Sequence, residues 1–279
     1  MSPLDLGAAD ELRRLAGWNQ TRSDWERCLA LEPDGCFVAM NEGRVGGTVT
    51  TICYGQTLAW IGMMLVHPDF RRQGIGASLM RRALDYLRGR AISCVKLDAT
   101  PLGLPVYEKL GFVAESSLTR WLRPPRSAEA VASDSALTAR RLEASDWDAV
   151  EALDRRGFGV SRERLIRALV KAGRGAWVWP AEGSVAGWGA SRAGAEADYL
   201  GPVVCSDAVG VTALTADLAR DAEGRATIWD IPDENASAVA RARELGFAPL
   251  RRLTRMRLGA PITGGDSLSC AAIADPSVG

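Results

Sequence analysis

The fold of this chain is decided by one stretch, Met64-Leu-Val-His-Pro-Asp-Phe-Arg-Arg-Gln-Gly-Ile-Gly-Ala-Ser-Leu-Met80. It begins inside an apolar run that starts at Trp60, is too short to span a membrane and suits a buried strand. Because proline cannot donate to a sheet ladder, His67-Pro68 ends this strand. From Ala77 to Leu87 the apolar residues recur at helical spacing. The stretch therefore predicts a strand, a glycine-bearing turn and a helix.

The turn between strand and helix has the composition of an anion site, Arg71-Arg72-Gln73-Gly74-Ile75-Gly76. Backbone N–H groups at a helix N-terminus lack partners, and the helix dipole favours negative charge there. Gly74 and Gly76 have no Cβ, so a ligand can approach the backbone closely, and the two arginines add positive charge. This pattern favours a pyrophosphate, and the competing interpretation is a solvated basic turn. No Walker loop or dinucleotide fingerprint fits, because the Gly-Lys-Ser/Thr and the third glycine are missing.

The composition limits the class of protein. The 279 residues leave room for two domains, and 47% hydrophobic with 24% charged residues is typical of a globular protein. Lys plus Arg and Asp plus Glu both total 34, which disfavours a general nucleic-acid binder. The sequence has no membrane-length apolar run, no signal-peptide pattern and no metal-ligand spacing among its scattered cysteines. We therefore expect a cytoplasmic monomer or homodimer with no metal, nucleic acid or membrane partner.

The second half of the chain repeats the first. The clearest repeat relates Leu110-Gly-Phe112 and Leu118-Thr-Arg-Trp121 to Leu245-Gly-Phe247 and Leu253-Thr-Arg-Met256, at identical internal spacing. A second one relates Glu42-Gly-Arg-Val-Gly-Gly47 to Glu182-Gly-Ser-Val-Ala-Gly187. Several motifs that recur in the same order indicate a duplicated domain. We expect a first domain over 1–124, a proline- and serine-containing linker over 125–137 and a second domain over 138–279.

The second copy lacks the residues that favour an anion. In place of the basic glycine turn it has the run from Val204 to Gly210, which contains no arginine. Asp207 lies in this run and would repel a phosphate. Ala242 occupies the position that corresponds to Tyr107 of the first copy. We therefore expect the second copy to have lost the chemistry of the first.

The pattern of apolar strand, Val-x-Pro, two residues, Arg-x-x-Gly-x-Gly and leucine resembles the acetyl-CoA pyrophosphate loop of the GNAT acetyltransferases. The order of predicted elements is also similar to the GNAT fold. The resemblance implies an α/β (α+β) protein with two tandem GNAT-like folds, each a mixed, mostly antiparallel sheet flanked by helices. The whole chain resembles bacterial tandem GNAT proteins, in which the N-terminal copy is active and the C-terminal copy is degenerate.

The resemblance implies acetyl-CoA as cosubstrate and assigns its contacts residue by residue. They fall on the thioester strand, on the basic turn and on the position where the family has an asparagine: Met64, Leu65, Val66, Arg71, Arg72, Gln73, Gly74, Ile75, Gly76, Ala77, Ser78 and Thr100. In the family this strand is bulged and splays from its neighbour, which frees backbone N–H groups to polarise the thioester. Tyr107 matches the family's tyrosine that protonates the leaving thiolate, and the alternative is a packed aromatic ring.

The group that deprotonates the amine is left open by the sequence. His67, Asp98 and water relayed by backbone carbonyls are the candidates. Three tryptophans of the first half either form an aromatic acceptor wall or pack the core, and three of the second half are expected to pack the second sheet: Trp18, Trp25, Trp60, Trp177, Trp179 and Trp188.

Together with the resemblance, these features predict an N-acetyltransferase that moves an acetyl group from acetyl-CoA to an amine. The expected acceptor is a small-molecule amine. The transfer would be a direct attack in a ternary complex, with the acceptor in the cleft between the domains, since ligand sites favour domain interfaces. Two alternatives stay open. One is a non-catalytic acyl-CoA-binding module that tunes a protein–protein contact, and the other is an acetyltransferase for protein N-termini or lysines.

Overall fold

The structure is a computed structural model that describes residues 1–125, 139–181, 184–263 and 265–279. The linker expected over 125–137 lies outside the described residues except for Pro125, and so do Glu182 and Gly183 of the second repeat. Every helix in the described ranges is too short or too polar to cross a bilayer.

The first copy has the expected order of helices, antiparallel strands and a strand–turn–helix unit. Its elements are α1 (Leu6–Leu15), α2 (Arg22–Leu31), β1 (Cys36–Asn41), β2 (Arg44–Tyr54), β3 (Leu58–Val66), α3 (Ile75–Gly89), β4 (Cys94–Ala99), α4 (Leu104–Glu108) and β5 (Val113–Arg123). β3 and α3 flank the glycine turn, so residues 64–80 form the predicted strand, turn and helix.

The second copy repeats this order and adds a short strand at each end. Its elements are β6 (Arg140–Arg141), α5 (Trp147–Phe158), α6 (Glu163–Ala172), β7 (Gly175–Ala181), β8 (Ser184–Arg192), β9 (Asp198–Cys205), α7 (Ala208–Asp221), β10 (Thr227–Pro232), α8 (Ala236–Glu244), β11 (Ala248–Gly259) and β12 (Cys270–Ala272). β9 and α7 correspond to β3 and α3, and β10 corresponds to β4.

The strands of the described residues form one continuous sheet across both copies. Its order is β1-β2-β3-β4-β11-β5-β10-β9-β8-β7-β6, with β12 paired to β9 off this path. β3–β4 and β9–β10 are parallel pairs, and the other pairs are antiparallel. The two copies exchange their last strands, because β11 lies between β4 and β5 while β5 lies between β11 and β10. This confirms the expected mixed, mostly antiparallel class and joins the two expected sheets into one.

Helices cover the two faces of the first copy's sheet unequally. Leu84 and Leu87 of α3 pack against Val95 and Leu97 of β4 on one face. Because side chains alternate along a strand, Lys96 and Asp98 of β4 point to the opposite face. α1 and α2 cover part of that opposite face, where they pack against β3. The face that carries α3 is called the α3 face below, and the other the α1 face.

Two buried ion pairs link the exchanged strands. Arg255 of β11 donates to both carboxylate oxygens of Asp98 in β4, at 2.9 and 3.0 Å. Arg120 of β5 donates to both oxygens of Asp230 in β10, at 2.8 and 2.7 Å. The two arginines are the arginines of the repeated Leu-Thr-Arg sequences, so the repeat that indicated a duplication also holds the copies together.

The Arg120–Asp230 pair gives the first testable prediction. Its side chains are only 4% and 2% exposed, so Asp230→Asn would leave a buried guanidinium without its carboxylate. Breaking one partner of a buried pair costs about 3–5 kcal/mol, and we expect the free energy of unfolding in urea to fall by that amount. The matched control is Arg252→Gln, which breaks a pair whose arginine is 70% exposed and should cost less than about 1 kcal/mol. Equal effects of the two substitutions would contradict the prediction.

Candidate functional site

The strand before the glycine turn is bulged and leaves its parallel neighbour. Thr48 of β2 faces Leu65 and Thr50 faces Gly62, so two residues of β3 lie opposite one residue of β2. Met63 lies in this bulge with φ +49°. β3 pairs with β4 only from Leu58 to Trp60. Beyond Trp60 the two strands diverge, and the gap between them is called the first opening below.

Backbone groups of β3 face the first opening. The N–H of His67 donates to the carbonyl O of Gly46 in β2 at 2.9 Å. Because backbone groups alternate between the two edges of a strand, those of Leu65 also point to β2 and those of Met64 and Val66 point to the opening. No strand of the described residues pairs with this edge of β3 beyond Trp60. The geometry therefore leaves the N–H groups of Met64 and Val66 available, while the Leu65 side chain packs against α1.

The N-terminus of α3 lies against the same opening and has no side-chain cap. Gly74 precedes the helix with φ +81°, and a Cβ built there would meet no atom within 4 Å. A Cβ on Gly76 would lie 2.9 Å from the Cε of Met64, so the first turn of the helix contacts β3. The first N–H groups of a helix have no intrahelical partner, so those of Ile75 and Ala77 are free for a ligand.

Two exposed arginines surround this helix end. Arg71 donates from Nε to the carbonyl O of Val66 at 3.3 Å, and Arg72 has the left-handed φ of +63°. Neither has a carboxylate partner among the described residues. Gln73 donates from Nε2 to the carbonyl O of Asp69 at 3.2 Å and so holds the turn. The site combines free N–H groups, a helix dipole and two cations, which is a place for an anion.

Tyr107 lies in α4 with its ring half-buried against the core of the α3 face. The ring contacts that of Phe112 with centroids 6.1 Å apart. Its hydroxyl has no hydrogen-bond partner among the described residues, and burial raises the pKa of Tyr107 to about 12. Thr100 Oγ1 accepts from the N–H of Gly103 at 3.3 Å, so this side chain holds the turn before α4.

The two side chains considered as a base are engaged elsewhere. His67 accepts from the N–H of Asp69 through Nδ1 at 3.2 Å, and its ring packs against Phe70. It thereby caps the turn after β3, as a structural histidine would. Asp98 is fully buried, and burial raises its pKa against the effect of Arg255, which binds both of its oxygens.

The tryptophans pack cores. Trp25 is fully buried with Leu6 and Met63, and Trp18 packs against the same cluster. Trp60 is buried, and its Nε1 donates to the carbonyl O of Pro276 at 3.0 Å. The remaining three pack the second copy as expected: Trp177, Trp179 and Trp188.

The corresponding helix end of the second copy is already occupied by a carboxylate. Asp207 caps α7 and accepts from the N–H groups of Val209 and Gly210, at 2.9 and 3.3 Å. Trp179 donates from Nε1 to the same carboxylate at 3.2 Å. Asp207 thus places its own negative charge at the N–H groups that begin α7. The equivalent N–H groups of α3 have no such cap among the described residues.

The opening of the second copy is filled by the last residues of the described chain. β9 pairs with β10 only from Asp198 to Leu200, and β12 pairs with β9 beyond that point, at Val203 and Val204. Trp229 of β10 donates from Nε1 to the carbonyl O of Ala271 at 2.9 Å. The segment from Cys270 therefore lies between the two diverging strands. Sequence reasoning missed this role, although the apolar run Cys-Ala-Ala-Ile-Ala after a polar loop is the pattern of a buried strand.

The same segment continues to the first copy across the α1 face. A Cβ on Gly201 of β9 would overlap the carbonyl O of Ile273, and a Cβ on Gly62 of β3 would overlap the backbone of Ser277. The hydroxyl of Tyr54 donates to the carbonyl O of Val278 at 2.5 Å. The last residues therefore contact both copies.

A cavity of about 270 Å³ lies on the α1 face between the copies. Both copies line it, with apolar and charged residues that include Trp60, Lys96, Glu115, Phe158, Arg162 and Arg255. Lys96 pairs with Glu115 at 2.6 Å, so its charge is balanced within the wall.

Two family models match the chain, one in each half. The model described as "Acetyltransferase (GNAT) family" matches residues 8–112, and the model described as "Acetyltransferase (GNAT) domain" matches residues 150–268. The first match contains the glycine turn and Tyr107, and the second contains Asp207.

Known proteins resemble both halves together. The uncharacterized N-acetyltransferase YitH of Bacillus subtilis is 26% identical over 234 residues, which cover 83% of this chain and 80% of that protein. A provisionally assigned acetyltransferase from Pyrococcus horikoshii has a TM-score of 0.84 at 25% identity, covering 100% of this chain and 94% of its own. A tandem GNAT protein from the clavulanic acid biosynthesis pathway has a TM-score of 0.63 at 20% identity, covering 92% of this chain and 96% of its own. The last likeness concerns the fold alone.

The pKa of Tyr107 gives the second testable prediction. Because burial raises this pKa to about 12, only about a tenth of the side chain should be ionised at about pH 11. Burial also raises the pKa values of Tyr54, Tyr86 and Tyr199. Ultraviolet absorbance should therefore show little tyrosinate below about pH 10.5 in the folded protein. Subtracting the titration of Tyr107→Phe isolates this residue, and a step near pH 10 in the difference would contradict the prediction.

Proposed function

This chain belongs to the GNAT family of acetyltransferases, with two GNAT domains in tandem, and we propose that its first copy moves an acetyl group from acetyl-CoA to an amine. The first copy, residues 1–124, would carry the reaction. The second copy, residues 138–279, would not bind CoA and would contribute residues to the acceptor site. The acceptor would be a small molecule, and the transfer a direct attack within a ternary complex.

The observation that carries this proposal is the difference between the two equivalent helix ends. At α3 the cap is a glycine with open space beside it, whereas at α7 the carboxylate of Asp207 bonds the N–H groups. The two openings differ as well. Among the described residues, β12 fills the gap between the diverging strands of the second copy, and no strand fills the gap of the first. One copy therefore has room and charge for a pyrophosphate, and the other has neither.

The residues of the first copy fit acetyl-CoA in three places. N–H groups of Ile75, Gly76 and Ala77 would bind the pyrophosphate, and Arg71 and Arg72 would add charge at its edge. The first opening would admit the pantetheine arm between β3 and β4. Thr100, held by its bond to Gly103, borders this opening at the end of β4.

The chain's own groups supply what the transfer needs. Acetyl-CoA supplies a thioester carbonyl that an amine can attack. The N–H groups of Met64 and Val66 would donate to the carbonyl oxygen, where negative charge develops as the C–N bond forms. Tyr107 would donate its hydroxyl proton to the sulfur as the C–S bond breaks, and its raised pKa keeps it protonated at neutral pH. The amine would lose its proton to water, because His67 and Asp98 are bonded elsewhere.

The glycine turn gives the third testable prediction. In Gly74→Val, a β-branched residue would take a φ of +81°, and its side chain would enter the space assigned to the pyrophosphate. We expect acetyl-CoA affinity, measured by calorimetry, to fall at least about tenfold. The matched control is Gly224→Val, since Gly224 also has positive φ and open space but lies in the second copy. Wild-type protein should bind one acetyl-CoA per chain. Two equivalent sites, or equal affinities of the two variants, would contradict the proposal.

Tyr107 gives the fourth prediction, which also tests the activity itself. Amine-dependent release of free CoA should occur in the wild type, and Tyr107→Phe should lower the turnover rate by about 10- to 100-fold with little change in acetyl-CoA affinity. Tyr86→Phe is the control, because that hydroxyl donates to Glu32 away from the site. Acetyl-CoA binding without amine-dependent CoA release would instead favour a binding module, and an unchanged turnover rate in Tyr107→Phe would make the ring structural.

A further inference from the structure

The bulge of β3 is bonded to a side chain of the neighbouring strand. The hydroxyl of Thr48 in β2 donates to the carbonyl O of Met63 at 2.8 Å. Thr48 is fully buried and Met63 is 1% exposed, so water does not compete for this hydrogen bond. Met63 and Met64 have no partner in the register between β2 and β3. The hydroxyl of Thr48 therefore reaches β3 at the point where the ladder is interrupted.

Met63 has a backbone conformation that needs such a contact. Its φ of +49° lies in the left-handed region, which costs free energy for a residue with a Cβ. A strained residue keeps its conformation only where its surroundings hold it. The Met63 side chain packs with Trp25 and Leu6, and Thr48 binds its carbonyl O. Because a hydrogen bond is directional, the bond from Thr48 fixes which way this peptide group points.

The bulge decides which backbone groups face the first opening. Before it, the carbonyl O of Thr57 accepts from the N–H of Cys94 in β4 at 3.0 Å, so odd-numbered residues point their backbone groups to β4. After it, the N–H of His67 donates to β2, so odd-numbered residues point to β2. The alternation therefore shifts by one residue within the bulge. Without this shift, the N–H groups of Met64 and Val66 would point to β2 and away from the opening.

The side chains of β3 show the same shift. A Cβ on Gly62 would lie 2.2 Å from the carbonyl O of Ser277, so Gly62 faces the α1 face. Met63 packs with Trp25 on that same face, and Met64 packs in the core of the α3 face. Because side chains of a regular strand alternate, two consecutive residues on one face mark the bulge as the place where β3 is re-aimed.

We infer that Thr48 is a positioning residue for the acetyl transfer: its hydroxyl holds the bulge of β3 and so directs the N–H groups of Met64 and Val66 at the thioester carbonyl. The inference rests on the proposed function, in which these N–H groups bind the oxygen where negative charge develops. Such a donor acts only where the charge forms, so a small rotation of the Met63 peptide group weakens its effect. Thr48 is buried and acts through the backbone of β3.

The fifth testable prediction concerns the hydroxyl of Thr48. Thr48→Val keeps a branched side chain and removes the donor. We expect kcat for amine-dependent CoA release to fall by about 10- to 100-fold, which approaches the effect of losing one oxyanion donor. The KM for acetyl-CoA should change little, because the glycine turn binds the pyrophosphate. Thr48→Ser keeps the hydroxyl and should restore most of the turnover rate.

Thr51 provides a matched control for the loss of a buried hydroxyl. It lies in the same strand, is fully buried and donates to the carbonyl O of Gly35 at 2.9 Å, away from the bulge. Thr48→Val and Thr51→Val should lower the urea midpoint of unfolding by similar amounts, but only Thr48→Val should lower kcat. Equal kcat values of these two variants, or a Thr48→Ser as slow as Thr48→Val, would overturn the inference. If Thr48→Val does not fold, Thr48→Cys and Thr51→Cys, whose thiols are weak donors, replace the two variants in the same comparison.

Hydrogen exchange followed by mass spectrometry separates this inference from the proposed function. Acetyl-CoA should slow exchange in a peptide covering residues 62–66 of the wild type and of Thr48→Ser, and slow it less in Thr48→Val, where the N–H groups are turned away from the ligand. Equal protection in all three proteins would overturn the role of Thr48. If acetyl-CoA binds and no amine releases CoA, the proposed transfer fails, and this measurement still decides the inference. A wild type that does not bind acetyl-CoA would overturn both.

Discussion

The rest of the structure depends on the pairing of the two exchanged strands, β5 and β11. Each strand lies between two strands of the opposite copy, and each carries an arginine that binds an aspartate of that copy. A buried pair of this kind stabilises only while both partners stay, since an unpaired buried charge is costly. Each copy therefore contributes the partner strands and the carboxylate that the other copy's exchanged strand requires. The duplication that the repeats indicate has produced one sheet, in which β11 of the second copy pairs with β4 and β5 of the first copy pairs with β10.

Parallel strands that diverge leave unpaired backbone groups, and the two copies meet this constraint differently. In the second copy the segment from Cys270 to Ile273 satisfies them, and Asp207 satisfies the N–H groups at the helix end. In the first copy the N–H groups of Met64, of Val66 and of the start of α3 face the opening, and among the described residues no strand or side-chain cap satisfies them. Buried polar groups are rarely left without partners, so the free set indicates a ligand. An inserted strand and a capping aspartate therefore distinguish the second opening from the first.

On the α1 face, residues of both copies meet beside β3 and β4. β3 and β4 come from the first copy, Arg255 of the second copy binds Asp98 of β4, and the segment that reaches Ser277 lies across Gly62. The glycine turn and the N-terminus of α3 belong to the first copy alone.

The sequence by itself determined the strand, turn and helix from Trp60 to Leu87, the duplication and the loss of the basic turn in the second copy. Each of these follows from local rules: apolar periodicity, the lack of a Cβ at Gly74, and the charge of Asp207. The sequence left open whether His67 and Asp98 could act as bases, and it did not indicate the exchange of β5 and β11 or the role of Cys270–Ala272. Only the tertiary structure decided the strand exchange and the place of this segment. Arg255 lies 157 positions from Asp98 and Ala271 lies 42 from Trp229, and local periodicity carries no information about which distant strand a segment will pair with.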